Sequence, residues 1–212
     1  MMGAGVTDNR IVSDIKAGMM GSGVTDNLIV SDIKPGIIST GITDNLIINN
    51  IKIPLIGNDI IDLRTAAVES NWRRPNYLSK IFTPEEQSLI KDDKTVWWLW
   101  SAKESVYKII NRATLQRRYA PLSITWFSEN IFKYEGEKFF IKSEITDEFI
   151  HTIAVANPEL FPQLEVCKDP TIKYYKDENG MPMIDNQPVS ISHHGRYWAM
   201  VKQKIFKAIL PV

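Results

Sequence analysis

With 212 residues, 44% of them hydrophobic, the chain is long enough for one substantial core. Lysine plus arginine and aspartate plus glutamate both total 25, so the formal net charge is zero and whole-molecule attraction to nucleic acid is not expected. A single cysteine, Cys167, excludes an intrachain disulfide framework. Met1 to Val6 lacks a basic n-region and no stretch approaches the roughly 18 apolar residues of a membrane span, so a soluble cytoplasmic protein without a membrane partner is expected.

Gly5-Val6-Thr7-Asp8-Asn9, Gly23-Val24-Thr25-Asp26-Asn27 and Gly41-Ile42-Thr43-Asp44-Asn45 repeat every 18 residues, each followed by a short β-prone run. A fixed period can mark a solenoid whose repeats bury their apolar faces on one another. Three copies are the lower limit for such a stack, and the segment has no aromatic residue. Its composition favours a duplicated, poorly ordered leader. The expected division is a repetitive segment over 1–52 and a globular domain over 53–212.

Leu55 to Leu63 is short, β-branched and bounded by Pro54, which predicts a strand. Thr83-Pro84-Glu85-Glu86 has an N-cap residue, a proline at the first helical position and a glutamate at the third, which predicts a helix start. Lys94 to about Arg112 is the strongest helix: Leu99, Ala102, Val106 and Ile109 form an apolar stripe, and Trp97, Ser101, Glu104 and Lys108 line the opposite face. Leu122–Phe127, Phe139–Ile145, Phe149–Val155, Lys173–Lys176 and Val189–Ser192 predict strands, with Glu135-Gly136 as a turn. Strand, helices, then mainly strands is an α+β order, an antiparallel sheet packed with helices.

Asp59 lies on the strand face that carries Leu55, Ile61 and Leu63. A carboxylate among apolar neighbours needs a cation, a metal or several donors, although a strand-end aspartate also serves turns. Glu104 and Lys108, taken alone, fit an ordinary surface ion pair at i, i+4. In Ser190-Ile191-Ser192-His193-His194-Gly195, adjacent histidines on a strand point to opposite faces and do not readily share one metal. A hydroxyl and an imidazole beside a glycine can instead face a phosphate.

Together, Gly57-Asn58-Asp59, then Trp100-Ser101-Ala102-Lys103-Glu104-Ser105-Val106-Tyr107-Lys108, then Ser190-Ile191-Ser192-His193 resemble the 4′-phosphopantetheinyl transferase superfamily. Lys176 to Pro182 looks like the hairpin turn that precedes the last strand in that family. The order of motifs and the single G-x-D resemble its short, holo-acyl-carrier-protein-synthase class, over about Ile53 to Lys202. Extra sequence around Ala113–Pro170 departs from a minimal member. Ile61 stands where the long class has a third acidic ligand.

The resemblance implies transfer of the 4′-phosphopantetheine arm of coenzyme A to a serine of an acyl or peptidyl carrier protein, releasing 3′,5′-ADP. It implies Mg²⁺ held by Asp59 and Glu104, with Glu104 as base and Lys108 on the phosphates. Ser192 and His193 would contact the nucleotide phosphate. Arg64, Arg73-Arg74, Arg112, Arg117 and Arg118 are candidate carrier or phosphate contacts. In the short class the site lies between subunits, because one copy of the fold is not expected to bring its G-x-D and S-I-S-H strands to the same nucleotide. A symmetric homo-oligomer, a trimer by analogy, is expected, with His193 serving a neighbour's Asp59–Glu104 site; the alternative is that the extra sequence over Ala113–Pro170 covers the interface and lets one chain close its own site. Two other readings stay open: a non-catalytic nucleotide- or carrier-binding homologue, and an interaction protein acting through its N-terminal repeats.

Overall fold

The computed structural model describes residues 45–48 and 51–204. Strands β1 (Asn45–Ile48) and β2 (Ile51–Pro54) pair antiparallel, with Ile48 opposite Ile51 and Asn45 opposite Pro54, so the pair straddles the expected junction at 52/53. The remainder of the repeats lies outside the described residues.

Strand β3 (Ile56–Asp62) ends one residue earlier than the sequence predicts. The reason is Asp62, whose carboxylate accepts from the amides of Arg64 and Thr65 and so starts helix α1 (Leu63–Glu69) at once. Helix α2 (Pro84–Leu89) starts as predicted. Thr83 accepts from the Glu86 amide, Glu86 accepts from the Thr83 amide, and Pro84 fills the first position. Helix α3 (Asp93–Thr114) begins on Asp92, which caps the Thr95 amide, and stops at Leu115, whose φ of 59° is left-handed.

Strands β4 (Thr125–Ser128), β5 (Ile131–Tyr134), β6 (Glu137–Ile145) and β7 (Phe149–Val155) then form an antiparallel sheet with β3, in the order β3-β7-β6-β5-β4. Leu122 and Ser123, the first residues of the strand predicted over Leu122–Phe127, lie in a 3₁₀ turn (Pro121–Ser123) instead. Glu135 and Gly136 make the β5–β6 turn with φ of 50° and 88°, the pairing that a tight hairpin requires.

The last third adds β8 (Leu164–Cys167), β9 (Tyr175–Lys176), β10 (Pro182–Ile184), β11 (Gln187–Pro188), β12 (Ser190–His194) and β13 (Tyr197–Gln203). They form two small sheets, β11-β10-β9 and β12-β13-β8. Asp177 organises the β9–β10 turn by accepting from the amides of Asn179 and Met181. Strands β11, β12 and β13 follow that turn, so it does not lead directly into the last strand. Mixed helix and antiparallel sheet is the α+β class that the order of elements predicts.

Helix α3 fills the interior against β3 and β7. Leu99, Ala102, Val106 and Ile109 are fully buried, each large side chain worth about 2 kcal/mol of transfer free energy. The opposite stripe is buried too: Trp97, Ser101 and Glu104 are covered. Lys103 is also enclosed. Its ammonium meets Glu86 at 2.6 Å and donates to the carbonyls of Ile124 (2.7 Å) and Pro121 (2.9 Å), so all three protons are used. Burial pushes its pKa down, against the raising effect of Glu86. Removing either partner would strand a buried charge at a cost of about 3–5 kcal/mol. Among the described residues no helix is long and apolar enough to cross a membrane.

Candidate active site

The site begins where β3 and α3 touch. A Cβ built on Gly57 would lie 1.8 Å from the Ser105 carbonyl oxygen, so this approach requires glycine. The helix contributes small residues to the same contact. Ser101 Oγ donates to the Asp59 carbonyl (3.3 Å), and Ser105 Oγ lies within bonding distance of the carbonyls of Ser101 (2.8 Å) and Thr152 (3.1 Å). Close packing here brings Glu104 and Lys108 beside the strand that carries Asp59.

Lys108 is directed into the protein. Its ammonium donates to the carbonyls of Asn58 (2.7 Å) and Ile191 (3.2 Å) and stands 3.7 Å from Asp59 Oδ1. It thereby ties β3 to β12 while balancing the Asp59 carboxylate. Ser192 Oγ donates to the same oxygen, Asp59 Oδ1, at 2.9 Å. Asp59 is therefore held through Oδ1.

The join between β12 and β3 is made by side chains. Ser190 Oγ, Ser192 Oγ and His194 Nδ1 accept from the amides of Asn58, Ile60 and Asp62, all at 2.9–3.0 Å. A period of two places these three on one face of β12. His193 lies on the other face and is exposed. Two expectations change as a result. One chain does bring its own S-I-S-H strand to its own G-x-D strand, through Ser192 and Asp59. His194, given no role from sequence, is part of that joint, whereas His193 points away from the Asp59 of its own chain.

Glu104 is 4% exposed, and its Oε1 is buried without a hydrogen-bond partner. Burial raises its pKa to about 8, helped by the negative Asp59 and opposed by Lys108 and by the Tyr119 hydroxyl. The Tyr119 hydroxyl is also buried without a partner in bonding geometry. Two neighbouring carboxylates with an orphaned oxygen suit a divalent cation. No three His, Cys, Asp or Glu side chains converge on a metal position among the described residues. A cation held by one or two carboxylates takes its remaining ligands from substrate phosphates and waters.

Behind Asp59, the Asn58 amide bridges His151 Nε2 (3.1 Å) and the Ala199 carbonyl (3.3 Å). Burial, with Lys168 and Lys108 nearby, lowers the His151 pKa to about 4, so it stays neutral. Below, Arg196 forks onto both oxygens of Asp62 at 2.9 and 3.0 Å. That contact, ahead of the Thr65 hydroxyl and amide, holds the Asp62 carboxyl well below the usual carboxylate range. Gly195 belongs to this corner: its φ is 55°, and a Cβ there would meet the Thr65 hydroxyl at 2.3 Å and Asp62 Oδ2 at 2.5 Å. Sequence reasoning missed His151, Arg196 and Tyr119. The apolar run Tyr197–Val201 was an available signal for β13, and with it the Arg196 corner.

The candidate arginines divide. Arg112 is buried and donates to the carbonyls of Val189 (2.9 Å) and Pro182 (3.3 Å), which removes it from any carrier-facing surface. Arg117 donates to the Asn179 carbonyl. Arg73, Arg74 and Trp72 line a separate cavity with Gln87, in which none of the five predicted site residues takes part. Arg64 and Arg118 are exposed.

No curated protein matches the chain. The family model of the 4′-phosphopantetheinyl transferase superfamily matches residues 55–154, the stretch that holds Gly57, Asp59, Glu104 and Lys108. Over those residues the chain is similar to the 4′-phosphopantetheinyl transferase superfamily.

Proposed function

We propose that this chain moves the 4′-phosphopantetheine group of coenzyme A onto a serine of an acyl or peptidyl carrier protein and releases 3′,5′-ADP. The observation that carries the reading is Glu104, a buried carboxylate with an unpartnered oxygen, beside Asp59 in a domain of a phosphopantetheine-transferring superfamily.

Asp59 and Glu104 would hold Mg²⁺, which when bound offsets the pyrophosphate charge and the charge developing at phosphorus. Asp59, fixed through Oδ1 by Ser192 and Lys108, keeps its other oxygen for the site. Glu104 takes the proton of the attacking serine, directly or through a water; a pKa pushed up toward neutrality suits a group that must gain and lose a proton there. Lys108 contributes positive charge at the phosphates from a fixed position, and Ser192 adds a hydroxyl on the same side. His193, exposed on the outer face of β12, would contact the nucleotide phosphate of a neighbouring copy, as a trimer of the short, holo-acyl-carrier-protein-synthase class would arrange. Residues 53–212 would form this transferase domain in the cytoplasm, with residues 1–52 dispensable for chemistry.

Mass spectrometry of an apo carrier protein incubated with this protein, coenzyme A and Mg²⁺ tests the reading. A gain of one phosphopantetheine mass is expected, both with the full chain and after deletion of residues 1–52. No gain with the full chain rejects the transferase function.

A further inference from the structure

Tyr119 reaches the site from the segment after α3, outside every motif discussed above. Tyr107 meets its ring edge-on at 5.0 Å, and Trp100 lies at 6.1 Å. Tyr77 stacks on Trp100 in turn, at 6.5 Å. The Tyr119 hydroxyl is buried without a partner in bonding geometry. Buried hydroxyls and carboxylates are ordinarily paired, and an unpaired one calls for an explanation.

The same condition holds at Glu104, whose Oε1 is buried and unpartnered. The two groups are neighbours: each perturbs the ionisation of the other, and Tyr119 does so through its hydroxyl. Of these two orphaned polar groups one is a donor and the other an acceptor, so each can satisfy the other. A carboxylate that gives one oxygen to a cation needs a donor for the second. Two lysines of the same helix are already engaged: Lys108 is bound to Asn58, Ile191 and Asp59, and Lys103 to Glu86, Pro121 and Ile124.

Resting on the transferase reading above, we propose that Tyr119 is a positioning residue. Its hydroxyl donates to the Glu104 carboxylate in the loaded site and holds it in the rotamer that offers the other oxygen to the cation and to the carrier serine. The segment after α3 thereby contributes to the chemistry of a site whose other parts come from β3, α3 and β12.

Tyr119→Phe in the full chain keeps the ring contacts and removes only the hydroxyl. Binding of Mn²⁺, followed by electron paramagnetic resonance, should weaken on the order of tenfold. Transfer kinetics should show kcat lowered by on the order of tenfold or more, with KM for coenzyme A within about twofold of wild type. The thermal midpoint should not fall, which separates positioning from packing. In a Glu104→Gln background, Tyr119→Phe should cause no further loss of Mn²⁺ affinity. Wild-type Mn²⁺ affinity and kcat in Tyr119→Phe overturn the assignment, as does an undiminished further loss in the Glu104→Gln background. If wild type binds Mn²⁺ but transfers nothing, the transferase reading fails and the Mn²⁺ comparison still decides for or against Tyr119. Wild type that binds no Mn²⁺ overturns both.

Discussion

Gly57 and Ser105 meet backbone to backbone: a methyl group on Gly57 would lie 1.8 Å from the Ser105 carbonyl oxygen and 3.3 Å from Ile109 Cγ1. The obstructing atom belongs to the interior of a helix and cannot rotate aside. Gly57→Ala should therefore push α3 off β3 and destabilise the fold by about 3 kcal/mol, the upper range for overpacking. Denaturant unfolding measures this, and an unchanged midpoint would show that the helix yields easily. Transfer should fall as well, because Glu104 and Lys108 ride on the displaced helix.

Glu104→Gln and Asp59→Asn each remove a carboxylate without changing shape, and each should lower turnover by orders of magnitude at limiting Mg²⁺. Wild-type-like rates in either variant would exclude the cation site. In metal-free buffer Glu104→Gln makes a second, independent prediction. A carboxyl whose folded pKa is raised from 4.5 to about 8 binds its proton more tightly folded than unfolded. Its contribution to stability is complete below pH 4.5 and is lost as pH rises through 8. Wild type should thus lose roughly 3 to 5 kcal/mol relative to Glu104→Gln between pH 5 and 8. Parallel stability curves for the two proteins would mean that Glu104 is better solvated than its burial indicates. Asp59→Asn should shift the loss to lower pH, since the Asp59 charge is a cause of the raised value.

Lys108→Ala should impair transfer severely, without rescue by extra Mg²⁺. It should also cost about 2 kcal/mol of stability, because the ammonium joins the carbonyls of Asn58 and Ile191 across two sheets. Chemical unfolding and steady-state kinetics on the same sample check both parts. Full stability with lost activity would assign Lys108 to the phosphates alone; unchanged rates and coenzyme A affinity would make it a purely structural strut.

Mixing Glu104→Gln with His193→Ala protein tests the shared site. Each is expected to be inactive alone, and mixed oligomers contain some interfaces with both wild-type residues, so part of the activity should return. A fully active species with the scattering mass of one chain would instead show that the chain completes its own site. The contact between Ser192 and Asp59 of one chain makes His193, and not Ser192, the residue on which this experiment turns.

What the sequence revealed and concealed follows from range. The cap of α2 and the stripe of α3 were legible because their partners lie within four residues, where spacing alone decides who meets whom. The second stripe of α3 carries polar residues yet is largely buried, because Ser101 and Lys108 find carbonyl acceptors on other elements. Strands β9 and β11 have two residues each, too few for any alternation. Asp59 and Glu104 emerged as a pair only through the resemblance of their motifs; taken singly, one suggested a turn and the other a surface ion pair. Nothing local marked Tyr119 or His151, whose roles depend on residues brought to them by folding.

Strand β3 is an outer strand of its sheet, and the amides of Asn58, Ile60 and Asp62 are closed off by Ser190, Ser192 and His194. Those partners lie 132 positions later in the chain. During synthesis β3 leaves the ribosome well before β12 and stays an open edge, able to template a strand from any neighbouring nascent chain, until the β12–β13 hairpin has been made. Closure of this edge must then wait for the β12–β13 hairpin, and such long-range closure is intrinsically slow. Chains truncated before Ser190 should accumulate as aggregates for this reason, independently of any lost chemistry. The three side chains that set the edge of the active site are also what keeps the finished protein from pairing with its own unfinished copies.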